Sequence, residues 1–400
     1  MRKRTIVKMP GDGIGIIVLE EAIRVLEAAG FRADYVEGDI GWEFWCREGN
    51  PLPARTLELI EKHKIGLFGA ITSKPKDEAL EELDPALRNT GLVYSSPIVG
   101  LRQHFNLDIC VRPCHTYPGN PLNFIRRGPA GEPEEPVVDV VIFRQNTEGL
   151  YGGVEWSNPP EQVYEALKTH PKFVKNFGHV PREELSVSTR IFSKKATYRI
   201  LDAAFAYARE NGYRSVTLCE KPNVIRETSG MMYKMAREIR ENKYPDIELW
   251  NTNIDAQMMW LTKNPEDYGV IVAGNMFGDI VSDAFAGLIG GLGFACSAQF
   301  SADGIGVFEP THGSAPKYAG YEVSIVNPVA MIEAACMMLD FIGEKETAGR
   351  IRKAIAEVIL EGKVRTYDMM KLPGAPSVIE HGAATTRQMT DAIIEKLNSA

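Results

Sequence analysis

An α/β protein with a largely parallel sheet flanked by helices is what this sequence predicts. Three observations lead there. Short β-type runs alternate with segments of helical periodicity along most of the chain. The runs at 137–143, 215–219, 247–250 and 270–273 show little polar alternation, as strands covered by helices on both faces tend to. The composition, 44% hydrophobic and 24% charged over 400 residues, is that of an ordinary globular chain long enough for two or three domains at about 100–200 residues each.

In chain order, the run at 5–9 is closed by Pro10-Gly11-Asp12-Gly13. Ile17, Val18, Leu19, Ala22, Ile23, Val25 and Leu26 then recur near helical spacing until Gly30 offers a stop. Helical patterns at 194–210, 228–241 and 280–289 separate the middle strands, and longer ones follow at 328–342, 346–361 and 386–398. Residues 113–136, dense in Pro, Gly and Arg, read as a surface insertion. The charged start, Met1-Arg-Lys-Arg, is followed by no apolar stretch of leader length, and the apolar stretch 284–300 is glycine-interrupted and too short to span a bilayer. Six cysteines (Cys46, Cys110, Cys114, Cys219, Cys296, Cys336) form no disulfide framework, and Cys110/Cys114/His115 lacks a second ligand pair at zinc spacing. A reduced, cytoplasmic protein without membrane or nucleic-acid partners is expected.

Charge supports the last point. Lys and Arg number 45 against 53 acids, a net −8, the opposite of the basic face that nucleic acid requires. Locally the balance reverses. Arg102, Arg112 and Arg144 each sit beside apolar residues at what read as strand ends. A buried guanidinium is costly unless a carboxylate or phosphate answers it. One such residue reads as a structural salt bridge, whereas three together read as a polycarboxylate site.

Two further segments carry chemistry. Asp279 and Asp283, four apart in Asn275-Met-Phe-Gly-Asp279-Ile-Val-Ser-Asp283, share a helix face, and like charges there repel unless something positive lies between them. Their oxygens suit Mg²⁺ or Mn²⁺, with Asp255 a third candidate; the bland alternative is complementation of the helix dipole. The loop Glu309-Pro-Thr-His312-Gly313-Ser314-Ala315-Pro-Lys317-Tyr318 is punctuated as ligand-wrapping loops are. Pro10-Gly-Asp-Gly-Ile-Gly15, between a strand and a helix, serves either phosphate binding or tight packing, and it lacks dinucleotide-fingerprint spacing.

Taken in order, Pro10–Gly15, Arg144-Gln-Asn-Thr-Glu-Gly-Leu-Tyr151, Asn275 to Asp283 and His312-Gly-Ser-Ala-Pro316 resemble the β-decarboxylating dehydrogenases, the family of isocitrate, isopropylmalate, homoisocitrate and tartrate dehydrogenases. The resemblance spans essentially the whole chain. It implies oxidation of a 2-hydroxy acid by NAD(P), then loss of the β-carboxylate, with a divalent metal as Lewis acid. It also implies a two-domain isocitrate/isopropylmalate dehydrogenase-like fold with a large mixed, mostly parallel sheet flanked by helices, residues 1–101 and 285–400 being the large cofactor domain and 102–284 the small dimer-forming domain.

By the same resemblance, Asp279 and Asp283 ligate the metal from one subunit and Asp255 from the other, so that an obligate homodimer shares its sites. Arg102, Arg112 and Arg144 clamp substrate carboxylates, with Ser96 and Asn223 nearby. Tyr151 is the general acid and Lys221 assists deprotonation of the hydroxyl. Thr72 lies on the nicotinamide side, Asn327 meets the adenine, and His312, Gly313, Ser314 and Ala315 wrap the nucleotide. Lys317 and Tyr318, where NAD-linked members carry an aspartate, with Tyr367 and Lys371, favour NADP because a 2′-phosphate needs cations and hydroxyls. Ser96, six residues before Arg102, fits an isocitrate enzyme and sits where some of these are switched by phosphorylation. Ile98 stands where they usually carry asparagine, which leaves homoisocitrate or 3-isopropylmalate as alternatives. A non-catalytic regulatory subunit is disfavoured, since such subunits typically lose residues that are all present here.

Overall fold

The protein is described by a computed structural model covering residues 4–399. Residues 1–3, on which part of the leader argument rests, lie outside the described residues. Ten strands form one sheet: β1 (Arg4–Gly11), β2 (Ala33–Glu37), β3 (Ile65–Ala70), β4 (Ile109–His115), β5 (Asp139–Gln145), β6 (Ser215–Glu220), β7 (Glu248–Asn253), β8 (Val270–Ala273), β9 (Cys296–Phe300) and β10 (Gly306–Pro310). Their order across the sheet is β7-β6-β8-β5-β4-β9-β10-β3-β1-β2. The flanks, β7-β6-β8-β5 and β10-β3-β1-β2, are parallel, and β4 and β9 join them by antiparallel pairings. The α/β expectation and its mixed, mostly parallel sheet are therefore what the chain forms.

Nine helices matter to the argument: α1 (Ile14–Ala28), α2 (Pro97–His104), α3 (Lys194–Glu210), α4 (Thr228–Lys243), α5 (Ile254–Trp260), α6 (Asn275–Leu288), α7 (Val329–Phe341), α8 (Lys345–Glu361) and α9 (Thr386–Ser399). Strand alternation sorts the two faces. Val141, Phe143, Val216, Leu218 and Val272 pack with Leu201, Phe205 and Ala236 of α3 and α4. Val140, Ile142, Cys219 and Ala273 point the other way, into the core shared by α1, α6, α7, α8 and α9. Each fully buried side chain of this size contributes about 1.5–3 kcal/mol of apolar burial.

The first half of the 113–136 segment is tied into the fold, while residues 129–133 are exposed. Pro113–His115 belong to β4. Asn120 is buried and its Nδ2 donates to Ile289 O at 3.1 Å, and the Phe124 amide donates to Leu288 O at 2.9 Å. All six cysteines are free thiols, and burial pushes those of Cys114 and Cys219 up to about 12, so they stay protonated and inert. Among the described residues no helix is long and apolar enough to cross a membrane.

The glycine turn after β1 resolves as packing. A Cβ on Gly11, at φ +69°, would lie 1.9 Å from Ala70 O, and one on Gly13, at φ +57°, 2.2 Å from Ser314 O. Two of the turn's amides are already engaged elsewhere, Asp12 N with Ala70 O (2.7 Å) and Ile14 N with Ser314 O (2.9 Å). Asp12 accepts from the Trp42 and Thr72 amides, at 2.8 Å each for the shorter contacts. The motif thus knots β1, β3 and the Ser314 loop together, which places Thr72 beside Ser314 with their hydroxyls 2.7 Å apart.

Candidate active site

The candidate site lies where β5, β6 and β8 end at their carboxyl edges, the usual ligand position of an α/β sheet. Arg144 is the penultimate residue of β5, Lys221 follows β6, and α6 begins two residues after β8. α6 passes so close to β5 that a Cβ on Gly278 would lie 2.8 Å from both Cβ and Cγ of Arg144. That approach sets Asp279, one residue on, against the guanidinium.

Two of the three arginines, Arg112 and Arg144, meet the paired aspartates. Arg112 Nη1 bridges Asp279 Oδ1 at 3.2 Å and Asp283 Oδ1 at 3.1 Å, and donates to Ser282 Oγ at 2.7 Å. Arg144 Nη1 bonds Asp279, and its Nε donates to Asn275 Oδ1 at 2.9 Å. Burial, then the Arg112 charge, brings the Arg144 guanidinium down to about 10, with Arg102 adding to it. Arg102 is held differently: Nε donates to Gln299 Oε1 at 2.7 Å and Nη2 to Glu309 Oε1 at 3.1 Å. So the positive element that the like-charged Asp279 and Asp283 demand is Arg112 here. Burial raises the Asp283 carboxyl, Arg112 opposes that, and Asp279 adds to it.

Tyr151 stands in the one-turn helix Leu150–Gly152, its OH 3.4 Å from Asp279 Oδ2 and its ring 5.6 Å from the Arg144 guanidinium. Burial, followed by the Asp279 charge, raises its phenol. Lys221 Nζ bonds Asp255, in the first turn of α5, and that bond lowers the Asp255 carboxyl. Among the described residues no three acidic, histidine or cysteine side chains converge as a metal-holding cluster. Asp279 and Asp283 form one group, Lys221 and Asp255 another. Asn223 is exposed in the turn after β6, and Ser96 precedes α2 without a side-chain capping bond. Ile98 packs with the Leu101–Phe105 cluster, while Val99 beside it is exposed.

The nucleotide-side residues gather around the Ser314 loop. His312 Nδ1 lies 3.0 Å from Gly313 O, which makes Nδ1 the protonated nitrogen and leaves Nε2 a buried acceptor without a partner among the described residues. Burial lowers the His312 pKa, so the ring is neutral. Gly313 is exposed and Ala315 adopts φ +40°, a conformation unusual for a residue with a side chain. The Tyr318 and Tyr367 rings lie 5.6 Å apart, Lys317 Nζ sits 5.5 Å from the Tyr318 ring, and exposed Lys371 has φ +56°. Asn327 Nδ2 donates to Asp368 Oδ2 at 3.2 Å and its Oδ1 accepts from the Val329 amide at 3.1 Å.

Sequence reasoning assigned nothing to Gln299, Arg190 and Glu220, and read Glu309 as the start of a ligand-wrapping loop, whereas it lies in β10. Gln299, Glu220 and Glu309 are buried polar residues inside or at the end of strands. The signal was the one that singled out Arg112 and Arg144, a polar group where a buried strand should be apolar, whereas Arg102, read as a strand end, lies in α2.

A family model described as isocitrate/isopropylmalate dehydrogenase matches residues 5–393. The chain belongs to that family. Its members are metal-dependent decarboxylating dehydrogenases that use NAD(P) and act on small hydroxy acids. Protein DlpA of Legionella pneumophila is 39% identical over 97% of this chain, which spans only 57% of that longer protein. The 3-isopropylmalate dehydrogenase of Methanothermobacter thermautotrophicus is 34% identical over 98% of this chain and 100% of its own length. The crystal structure of isocitrate dehydrogenase from Methylococcus capsulatus superposes with a TM-score of 0.79 at 34% identity, covering 98% of this chain and 99% of that one.

Proposed function

We propose that the protein is an NADP-linked isocitrate dehydrogenase forming 2-oxoglutarate and CO₂, a cytoplasmic homodimer dependent on Mg²⁺ or Mn²⁺. The observation that carries this reading is the convergence of Arg112, Arg144, Asp279, Asp283 and Tyr151, with Arg102 close enough to act on Arg144 electrostatically. Three guanidiniums suit a tricarboxylate. The proposed division follows the family, with residues 1–101 and 285–400 in the large domain and 102–284 in the small one.

The residues present fit the absent groups. Asp279 and Asp283 are hard oxygen donors already sharing a cationic partner at 3.2 and 3.1 Å. The unpartnered His312 Nε2, with Lys317, Tyr318, Tyr367 and Lys371, offers an acceptor, cations and hydroxyls to a phosphorylated nucleotide. When bound, a divalent cation supplies Lewis acidity toward the hydroxy acid and NADP supplies the hydride acceptor.

The chain's own groups do the rest. Substrate carboxylates draw Arg112 and Arg144 off Asp279 and Asp283, so both carboxylates are released as the substrate is clamped. Lys221, from the partner protomer, assists deprotonation of the hydroxyl: once Asp255 no longer pairs with it, its ammonium can lose a proton to solvent and the neutral amine accepts the hydroxyl proton. Tyr151 keeps its proton across neutral pH because burial and Asp279 raise its phenol, and delivers it to the substrate carbon after CO₂ leaves.

Ile98 and exposed Val99 favour a second reading within the family, in which an apolar wall receives the side chain of isopropylmalate, or lines the site for homoisocitrate. Assay of isocitrate, homoisocitrate and 3-isopropylmalate with NADP and NAD decides. Highest kcat/KM for isocitrate with NADP supports the proposal, and turnover of isopropylmalate without isocitrate refutes it.

A further inference from the structure

Beside the site lies an ion pair that neither clamps substrate nor holds the nucleotide in the reading above. Glu220 ends β6 and is 1% exposed. Arg190 Nη2 donates to both its oxygens, at 3.1 and 2.8 Å. Glu220 Oε1 also accepts the Gly274 amide at 2.8 Å, and Oε2 accepts Ser229 Oγ at 2.5 Å. Arg190 Nη1 reaches Thr228 Oγ1 at 2.8 Å and Ser229 Oγ at 2.9 Å, and the guanidinium lies 4.5 Å from the Phe192 ring and 5.0 Å from that of Phe277.

What these contacts join is specific. Glu220 is the residue before Lys221. Gly274 is the N-cap of α6 and has no side chain to cap it, so the Glu220 carboxylate serves there and complements the helix dipole. Phe277 is on α6 two residues before Asp279. A Cβ on Gly274 would lie 2.6 Å from Glu220 Oε1 and 2.6 Å from Phe192 Cζ, so a larger residue there has to displace these side chains. The Arg190 segment continues to Ile191, whose carbonyl accepts the Gly149 amide at 2.9 Å, at the entry to the Tyr151 turn. One hydrogen-bonded charge pair therefore fastens three pieces of chain that carry Lys221, Asp279 with Asp283, and Tyr151.

From this we infer that Arg190 and Glu220 are a positioning pair, fixing the strand end of Lys221 to the N-terminus of the carboxylate-bearing helix. The inference rests on the roles proposed above for Lys221, Asp279 and Asp283. A buried pair is costly to break by removing one partner, because the other charge is left without its counterion.

The test uses purified full-length protein. Glu220→Gln keeps the size and one acceptor oxygen and removes the charge. It is expected to lower kcat about 10–100-fold with KM for the hydroxy acid changed less than about threefold, and to weaken Mn²⁺ binding to the substrate-free protein about tenfold. Arg190→Lys is expected to retain more kcat than Arg190→Met. The comparison variant is Glu333→Gln on α7, which breaks a separate pair with Arg352 (3.1 Å); it is expected to lower Tm while leaving kcat and Mn²⁺ affinity intact. Wild-type kcat and Mn²⁺ affinity in Glu220→Gln would overturn the inference, as would equal losses of both in Glu333→Gln. If the wild type turned over none of the hydroxy acids, the functional reading would fail, and the Mn²⁺ titration would still decide whether the pair holds the helix.

Discussion

Arg112 Nη1 stands 3.1 Å from Asp283 Oδ1, so an arginine expected to hold substrate instead bonds a carboxylate expected to hold metal. The two expectations are compatible if the partners exchange on binding. The exchange yields a prediction about the substrate-free protein. Asp283→Asn removes one repulsion from Asp279 and one attraction to Arg112, so its Tm is expected to stay near that of the wild type. Its activity and its Mn²⁺-induced stabilisation are expected to disappear. Wild-type protein at Mn²⁺ 100-fold above Kd should gain about 2.7 kcal/mol, read as a rise in Tm by calorimetry, and chelation should reverse it.

Tyr151→Phe removes the proposed acid without changing bulk. A loss of about 10²–10⁴ in kcat with little change in KM is expected from steady-state kinetics. The sign of the pH effect follows from the raised phenol. The protonated form is the competent one and persists above the ordinary tyrosine value of 10, so the alkaline limb due to Tyr151 lies above that pH.

Nucleotide choice depends on charge around the Tyr318–Tyr367 pair. Lys317→Asp is expected to lower kcat/KM for NADP about 10–100-fold, the size of one lost hydrogen bond to a charged group, and to leave NAD nearly unchanged. Kinetics with both nucleotides check it. An unaltered NADP/NAD ratio would show Lys317 to be a solvated surface lysine.

Gly278→Ala tests the approach of α6 to β5. The new Cβ would meet Arg144 at 2.8 Å, and the displaced atoms belong to the root of the side chain rather than its flexible tip. A destabilisation of about 1–3 kcal/mol in urea titration is expected, with a higher KM because Arg144 is moved.

Local periodicity and short motifs determined a good deal. The helical spacing at 194–210 and 346–361 corresponds to α3 and α8 within a residue, and the run at 270–273 is β8. β2 and β3 gave weaker signals, since β2 is half exposed at the sheet edge and β3 is a short run holding two glycines. The order of the sheet, with antiparallel β4 and β9 joining two parallel flanks, depends on pairings between segments far apart in the chain. No local pattern encodes such pairings.

The site divides the same way. Residue type and four-residue spacing were enough to single out Asp279 with Asp283, and apolar surroundings were enough to single out Arg102, Arg112 and Arg144. Whether the cation between the aspartates is a metal or an arginine, whether the Gly11–Gly15 turn cradles phosphate or packs against Ala70 and Ser314, and how Glu220 reaches the start of α6 are distances between separate elements. The physical reason is range. Helical and strand periodicity reports a residue's immediate neighbours and its burial, whereas hydrogen bonds and ion pairs act over about 3 Å between groups that only the folded chain brings together.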